Sequence, residues 1–169
     1  LGELRGKKQK EKKRSGSGLH DMNIKELGHV VLYVSNLDRS AHFYGDTLGF
    51  KIISKENGFA VFSSGRTHHE LLLIEIGIEP ETKNKLKPGL YHIGFKIGDS
   101  PDDVKRAYRE LKEKGVIIVG AGDHTVTHSL YILDPDGNEL ELYADVSDEW
   151  KKNPKSIMTP VKPLDLKSE

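Results

Sequence analysis

Leu27-Gly28-His29-Val30-Val31-Leu32-Tyr33-Val34 and Leu90-Tyr91-His92-Ile93-Gly94-Phe95-Lys96-Ile97 are two versions of one segment. Each carries a histidine in its third place, followed by apolar and β-branched residues that suit a strand. Each is then followed by a helix-like stretch. Asn36 and Asp38 can cap a helix that runs through Gly45 to Leu48 and stops at Gly49. In the second copy Asp99-Ser100-Pro101 opens a helix to Lys114, stopped by Gly115.

The remaining elements repeat as well. Phe50–Ser54 and Phe59–Ser63 read as a hairpin around Glu56-Asn57-Gly58, because Asn-Gly accepts the positive φ angles of a tight turn. His69–Ile76 reads as a fourth strand, and residues 77–89, with Pro80 and Pro88, as a linker. In the second copy Val116–Val119 is an expected strand, Gly120–His124 a loop and Ser129–Leu133 a strand. Asp134-Pro135-Asp136-Gly137 is a turn, and Glu139–Ala144 the last strand. The fold class is therefore α+β: two tandem βαβββ modules, about 27–76 and 90–144, forming a shared curved sheet inside one domain over 22–146. A lone module would leave a sheet face uncovered, so the two are expected to share a core.

Strand alternation assigns the faces. Val30, Leu32, Val34, Ile93, Phe95, Ile97, Leu140 and Leu142 face the helices, which puts His29, His92 and Glu141 on the opposite, concave side. Singly, a histidine on an apolar strand is usually a hydrogen-bonded core residue, and a strand glutamate is commonly just solvated. Jointly, the three hold matching places in the repeat. They are the ligand types of a two-histidine, one-carboxylate site that leaves coordination positions open to substrate and oxygen. Fe(II), Mn(II), Ni(II) and Zn(II) all suit such donors.

Composition narrows the field. The chain has 169 residues, no cysteine, 36% hydrophobic and 31% charged residues, so disulfides, zinc–thiolate sites and cysteine nucleophiles are excluded. A reducing cytoplasm fits. The longest apolar runs, such as Leu71-Leu72-Leu73-Ile74, are far too short to cross a bilayer, and no membrane partner is expected. The zero net charge hides an asymmetry: residues 1–21 hold seven Lys/Arg and three Asp/Glu, the rest 19 and 23. Lys7 to Arg14 could be a nucleic-acid arm, but it reads better as a disordered leader or foreign sequence ahead of a natural start at Met22. No nucleic-acid partner is expected.

These residues also resemble the vicinal oxygen chelate superfamily, which includes glyoxalase I, fosfomycin-resistance enzymes, bleomycin-binding proteins and extradiol ring-cleavage dioxygenases. The resemblance spans about 24–146. It is carried by Gly28-His29-Val30-Val31 to Tyr44 and Gly49-Phe50, and by Ser129-Leu130-Tyr131 through Asp134-Pro135-Asp136-Gly137-Asn138 to Glu141. It implies a metal, Fe(II) first, held by His29, His92 and Glu141. Three further residues look like those of the extradiol dioxygenases: His69 as the acid–base histidine, His124 as a histidine of the substrate pocket, and Tyr131 as the active-site tyrosine. A catechol must lose protons to chelate through both oxygens, so a nearby base is chemically required. The resemblance then implies a catechol-like diol and O2 as reactants, and a homodimer, since this family pairs subunits or modules edge to edge.

Alternatives stay open at this level. By strict alternation His68 rather than His69 would share the metal face. Tyr131 can be a packing aromatic, and His124 a solvated loop residue whose distance to Tyr131 is shorter than in larger dioxygenases. A glyoxalase I-type lyase would need a fourth ligand where the repeat places Leu72. A fosfomycin-type thiol transferase would need a basic phosphonate pocket, toward which Lys96 can contribute. A bleomycin-type binding protein would make the three ligands incidental. The C-terminal extension, 147–169, resembles that of catechol 2,3-dioxygenase-like members; Trp150 and Met158 can cover a pocket mouth or a subunit contact.

Overall fold

The computed structural model describes residues 26–78 and 90–167. The basic run 7–14, Met22 and most of the expected linker lie outside them. In the first module β1 (Val30–Val34) leads into α1 (Leu37–His42), whose first turn is held by the Asn36 side chain accepting the Arg39 N–H at 2.8 Å. The helix widens into a π-helical turn over Phe43–Thr47 and stops at Gly49, φ +83°. β2 (Lys51–Glu56) and β3 (Phe59–Ser63) form the expected hairpin, with Asn57 and Gly58 both at positive φ. β4 (Leu71–Glu75) lies between β3 and β1, antiparallel to the first and parallel to the second.

The second module repeats this with β5 (His92–Gly98), α2 (Pro101–Glu113), β6 (Ile118–Asp123), β7 (Thr127–Leu133) and β8 (Glu139–Asp145). Asp103 opens α2. Its carboxylate accepts from the Asp99 and Ser100 N–H groups and the Ser100 hydroxyl at 2.9–3.1 Å. A C-terminal segment, α3 (Glu149–Lys152), a 3-10 turn over Pro154–Met158 and β9 (Lys162–Pro163), adds one short strand to the edge of β6.

Two elements differ from expectation. β6 runs on through Gly120–Asp123, expected as a loop. These residues have poor strand propensity, but pairing of Gly120, Ala121 and Gly122 with Tyr131, Leu130 and Ser129 of β7 overrides it. β4 begins at Leu71, not His69, because Glu70 closes the preceding turn by accepting the Ser64 and Thr67 N–H groups, each at 2.7 Å. His68 and His69 therefore sit on a turn, where strand alternation has no hold on them.

In place of one continuous sheet there are two, ordered β1-β4-β3-β2 and β5-β8-β7-β6-β9. Their inner faces share one core: Leu32, Val34, Phe62, Leu71 and Leu73 from the first module, Ile93, Leu130, Ile132, Leu140 and Leu142 from the second. The modules are joined at the Asp134–Gly137 turn. The fully buried Tyr44 donates to Asp134 Oδ2 at 2.8 Å, while Asp136 accepts from the Ser35 N–H and hydroxyl and from Arg39 at 2.9 Å. Burial next to Asp134 pushes the Tyr44 hydroxyl well above its ordinary pKa. Because both inner faces are consumed by this core, both outer faces are left facing outward.

Candidate functional site

On the second sheet β5 lies parallel to β8, with His92 opposite Glu139 and Gly94 opposite Glu141. The His92 and Glu141 side chains lean together on the outer face, His92 Nε2 to Glu141 Oε2 at 3.2 Å, and are 28% and 17% exposed. Gly94 makes room for this: a Cβ there would come to 3.4 Å from Oε2. Tyr131, paired across β7 and β8 with Glu141, brings its hydroxyl to 3.3 Å from Oε1. His124 Nε2 lies 2.8 Å from the same hydroxyl. The expected residues His92, Glu141, Tyr131 and His124 thus form one connected group.

Desolvation, with the Glu141 charge behind it, pushes the Tyr131 hydroxyl up to about 12. It stays a phenol throughout the ordinary pH range and can donate to Glu141 while accepting from His124. Tyr91 is raised chiefly by its hydrogen bond to Glu139. Glu139 Oε1 in turn stands 3.9 Å from His92 Nδ1, a buried nitrogen with no hydrogen-bond partner among the described residues.

The first sheet carries the other half. His29 precedes β1 by one residue and stacks on His69, ring centroids 4.5 Å apart; His68 Nδ1 lies 2.5 Å from His69 Nδ1. Partial desolvation, then the neighbouring His29 and His68, lower the His69 pKa. His69 also borders a hollow of about 560 Å³ lined by Phe59, Val61, Leu72 and Ile74, with Asn57 and Glu75 at its polar end. Among the described residues no three His, Asp or Glu side chains converge closely enough to hold a metal ion. His29 and His69 are brought together, and so are His92 and Glu141, but on different sheets.

Three features escaped the sequence reading. Ser129, fully buried, donates its hydroxyl to Glu141 Oε1 at 2.6 Å; it stands two residues before Tyr131 on β7, so the same alternation could have pointed to it. Glu139 and Tyr91 approach the far side of His92. Val161, beside β9, crosses Gly122 so closely that a Cβ there would lie 2.8 Å from it and 3.3 Å from His124 Nε2. Only the return of the C-terminal segment sets that contact. Lys96, which could contribute to a phosphonate pocket only under the thiol-transferase alternative, is held by Asp145 at 2.7 Å and Asp99 at 2.5 Å, bonds that raise its pKa. Trp150 and Met158 are exposed.

Residues 26–142 match the model of the Glyoxalase/Bleomycin resistance protein/Dioxygenase superfamily. A catechol-2,3-dioxygenase of Bacillus subtilis is 34% identical over 119 residues, 70% of this chain and 41% of that protein. Biphenyl-2,3-diol 1,2-dioxygenase 2 of Rhodococcus globerulus is 30% identical, over 71% of this chain and 63% of its own length. The chain thus spans less than two thirds of either. The metallothiol transferase FosB of Staphylococcus haemolyticus is 34% identical over 71% of this chain and 84% of its own. The fold recurs in a glyoxalase/dioxygenase from Nostoc punctiforme, with TM-score 0.65 and 23% identity over 78% of this chain and 98% of that one. The chain belongs to the Glyoxalase/Bleomycin resistance protein/Dioxygenase superfamily.

Proposed function

We propose that this chain is an extradiol-type dioxygenase acting on a catechol-like diol as a homodimer, with Fe(II), or in second place Mn(II), held by His29, His92 and Glu141. The observation that carries the reading is the convergence of His92 Nε2 and Glu141 Oε2 at 3.2 Å beside the hydrogen-bonded Tyr131 and His124. Two neutral imidazoles and a carboxylate are a fitting donor set for such a metal. When bound, the metal supplies a centre at which diol and oxygen meet. His69, whose lowered pKa keeps it unprotonated near neutrality, takes a diol proton. Tyr131, held as a phenol, donates a hydrogen bond toward the substrate oxygens, and His124 steadies it. The Phe59–Val61–Leu72–Ile74 hollow offers an apolar bed for a ring substituent.

A second copy completes the site. Among the described residues β1 and β5 are each paired on one side only, so their outer edges offer backbone groups to another chain. Val31, Tyr33 and Tyr91 lie exposed along these strands or at their ends. Edge pairing between copies would carry one copy's His29 and His69 to the other's His92 and Glu141. Leu72, at the repeat place of Glu141, supports three ligands rather than a lyase's four.

The test is oxygen uptake and ring-opened product absorbance after anaerobic Fe(II) loading and addition of a catechol panel, with Glu141→Ala alongside. Turnover that vanishes in the variant supports the reading. No turnover with metal bound overturns it, and favours the second reading, a thiol transferase. That reading has its own support, since the chain spans 84% of a FosB relative's length against 41% of the Bacillus dioxygenase. Thiol-dependent consumption of fosfomycin would establish it; the ion-paired Lys96 speaks against it.

A further inference from the structure

We propose that Ser129 is a positioning residue that makes Glu141 a one-oxygen metal ligand. The two carboxylate oxygens have different surroundings. Oε1 accepts the Ser129 hydroxyl at 2.6 Å, with the Tyr131 hydroxyl 3.3 Å away. Oε2 faces His92 Nε2 at 3.2 Å and the open side of Gly94, where no Cβ intrudes. Rotating the carboxylate to offer both oxygens would break the 2.6 Å bond from the fully buried Ser129 hydroxyl, and losing a buried bond to a charged group is costly. The bond is to an ionised acceptor, the stronger kind.

The consequence is a coordination count. With one oxygen committed to Ser129, His29, His92 and Glu141 would offer a metal three donor atoms rather than four. The positions left open on such a metal would be available to substrate and oxygen. Second-sphere hydrogen bonds of this sort govern metal affinity by roughly 10- to 100-fold. This inference rests on Glu141 being a metal ligand and is indifferent to which substrate is used.

The experiment is a titration of the full chain with Co(II) and Mn(II), read by Co(II) absorbance and Mn(II) electron paramagnetic resonance. Ser129→Ala and Ser129→Cys are compared with wild type, with metal-free thermal unfolding of each as the folding control. Ser129→Ala is expected to bind about 10- to 100-fold more weakly, with a changed Co(II) spectrum. Ser129→Cys, which fills the volume with a poor donor, is expected to behave like Ser129→Ala, and it decides the matter if Ser129→Ala does not fold. Wild-type affinity in Ser129→Ala, or its recovery in Ser129→Cys, overturns the proposal while the three-ligand reading stands. A wild-type chain that takes no metal overturns both.

Discussion

The two outer sheet faces are built on one plan and carry different chemistry. In the second sheet Gly94 stands opposite Glu141; in the first, the matching pair is Val31 opposite Leu72. Where one face has a glycine that opens space for a carboxylate, the other has two aliphatic side chains. His29 and His92 hold equivalent places, yet His92 Nε2 lies 3.2 Å from a carboxylate oxygen of Glu141 while His29 packs against the His69 ring. The repeat has duplicated the scaffold and one histidine, and left the apolar hollow to one module and the carboxylate, phenol and buried hydroxyl to the other. Neither face alone carries all three proposed ligands.

The sharpest way to break this comparison is to separate the halves genetically. His29→Ala and Glu141→Ala chains are each expected to lose metal and more than about 100-fold of turnover. When the two are mixed and allowed to re-pair, half of the dimers are mixed and each has one intact site, so about a quarter of wild-type activity returns. Oxygen uptake on the mixture checks it, and no recovery would place all three ligands within one chain.

Next in size is the contact that forces the two faces apart. Asp136→Ala removes a buried carboxylate from Ser35 and Arg39 and is expected to destabilise the chain by about 2–4 kcal/mol in urea unfolding. Inner and outer positions of one strand should then differ. Leu73→Ala, fully buried, is expected to cost about 2–5 kcal/mol, and its outer neighbour Leu72→Ala less than about 1 kcal/mol. A larger loss at Leu72 would mean that the first outer face is covered in solution.

The smallest expected effect is on pH dependence. The Tyr131 hydroxyl is raised, so it remains protonated until the pH approaches about 12. Tyr131→Phe is therefore expected to lower kcat about 10-fold without reshaping the kcat profile between pH 6 and 10. A high-pH limb that disappears in the variant would show instead that Tyr131 ionises within that range.

Much of this was legible because it is periodic. Two strand signatures, the Asn36, Ser100 and Gly115 punctuation and the Asn57-Gly58 hairpin are local, so short windows of sequence reveal them. Alternation placed His92 and Glu141 on one face, whereas Tyr131 was indicated only by the family resemblance, and its pairing with Glu141 came from the fold. His69 was harder. Its turn is fixed by Glu70 reaching back to Ser64 and Thr67, a side-chain event that alternation does not describe. β6 was misread because Gly120-Ala121-Gly122 has no strand character until β7 pairs with it.

By itself the sequence determined the element order, the inner and outer faces, and the residue types able to bind a metal, since all of these depend on neighbours two to four positions away. The tertiary structure decided how the modules face each other. Tyr44, Ser35 and Arg39 meet Asp134 and Asp136 about a hundred residues on, and that docking turns both inner faces to one core. It also decided that Ser129 holds Glu141 and that Val161 crosses Gly122. Such contacts join residues whose separation along the chain carries no period, and only the closed fold brings them within hydrogen-bonding or packing distance.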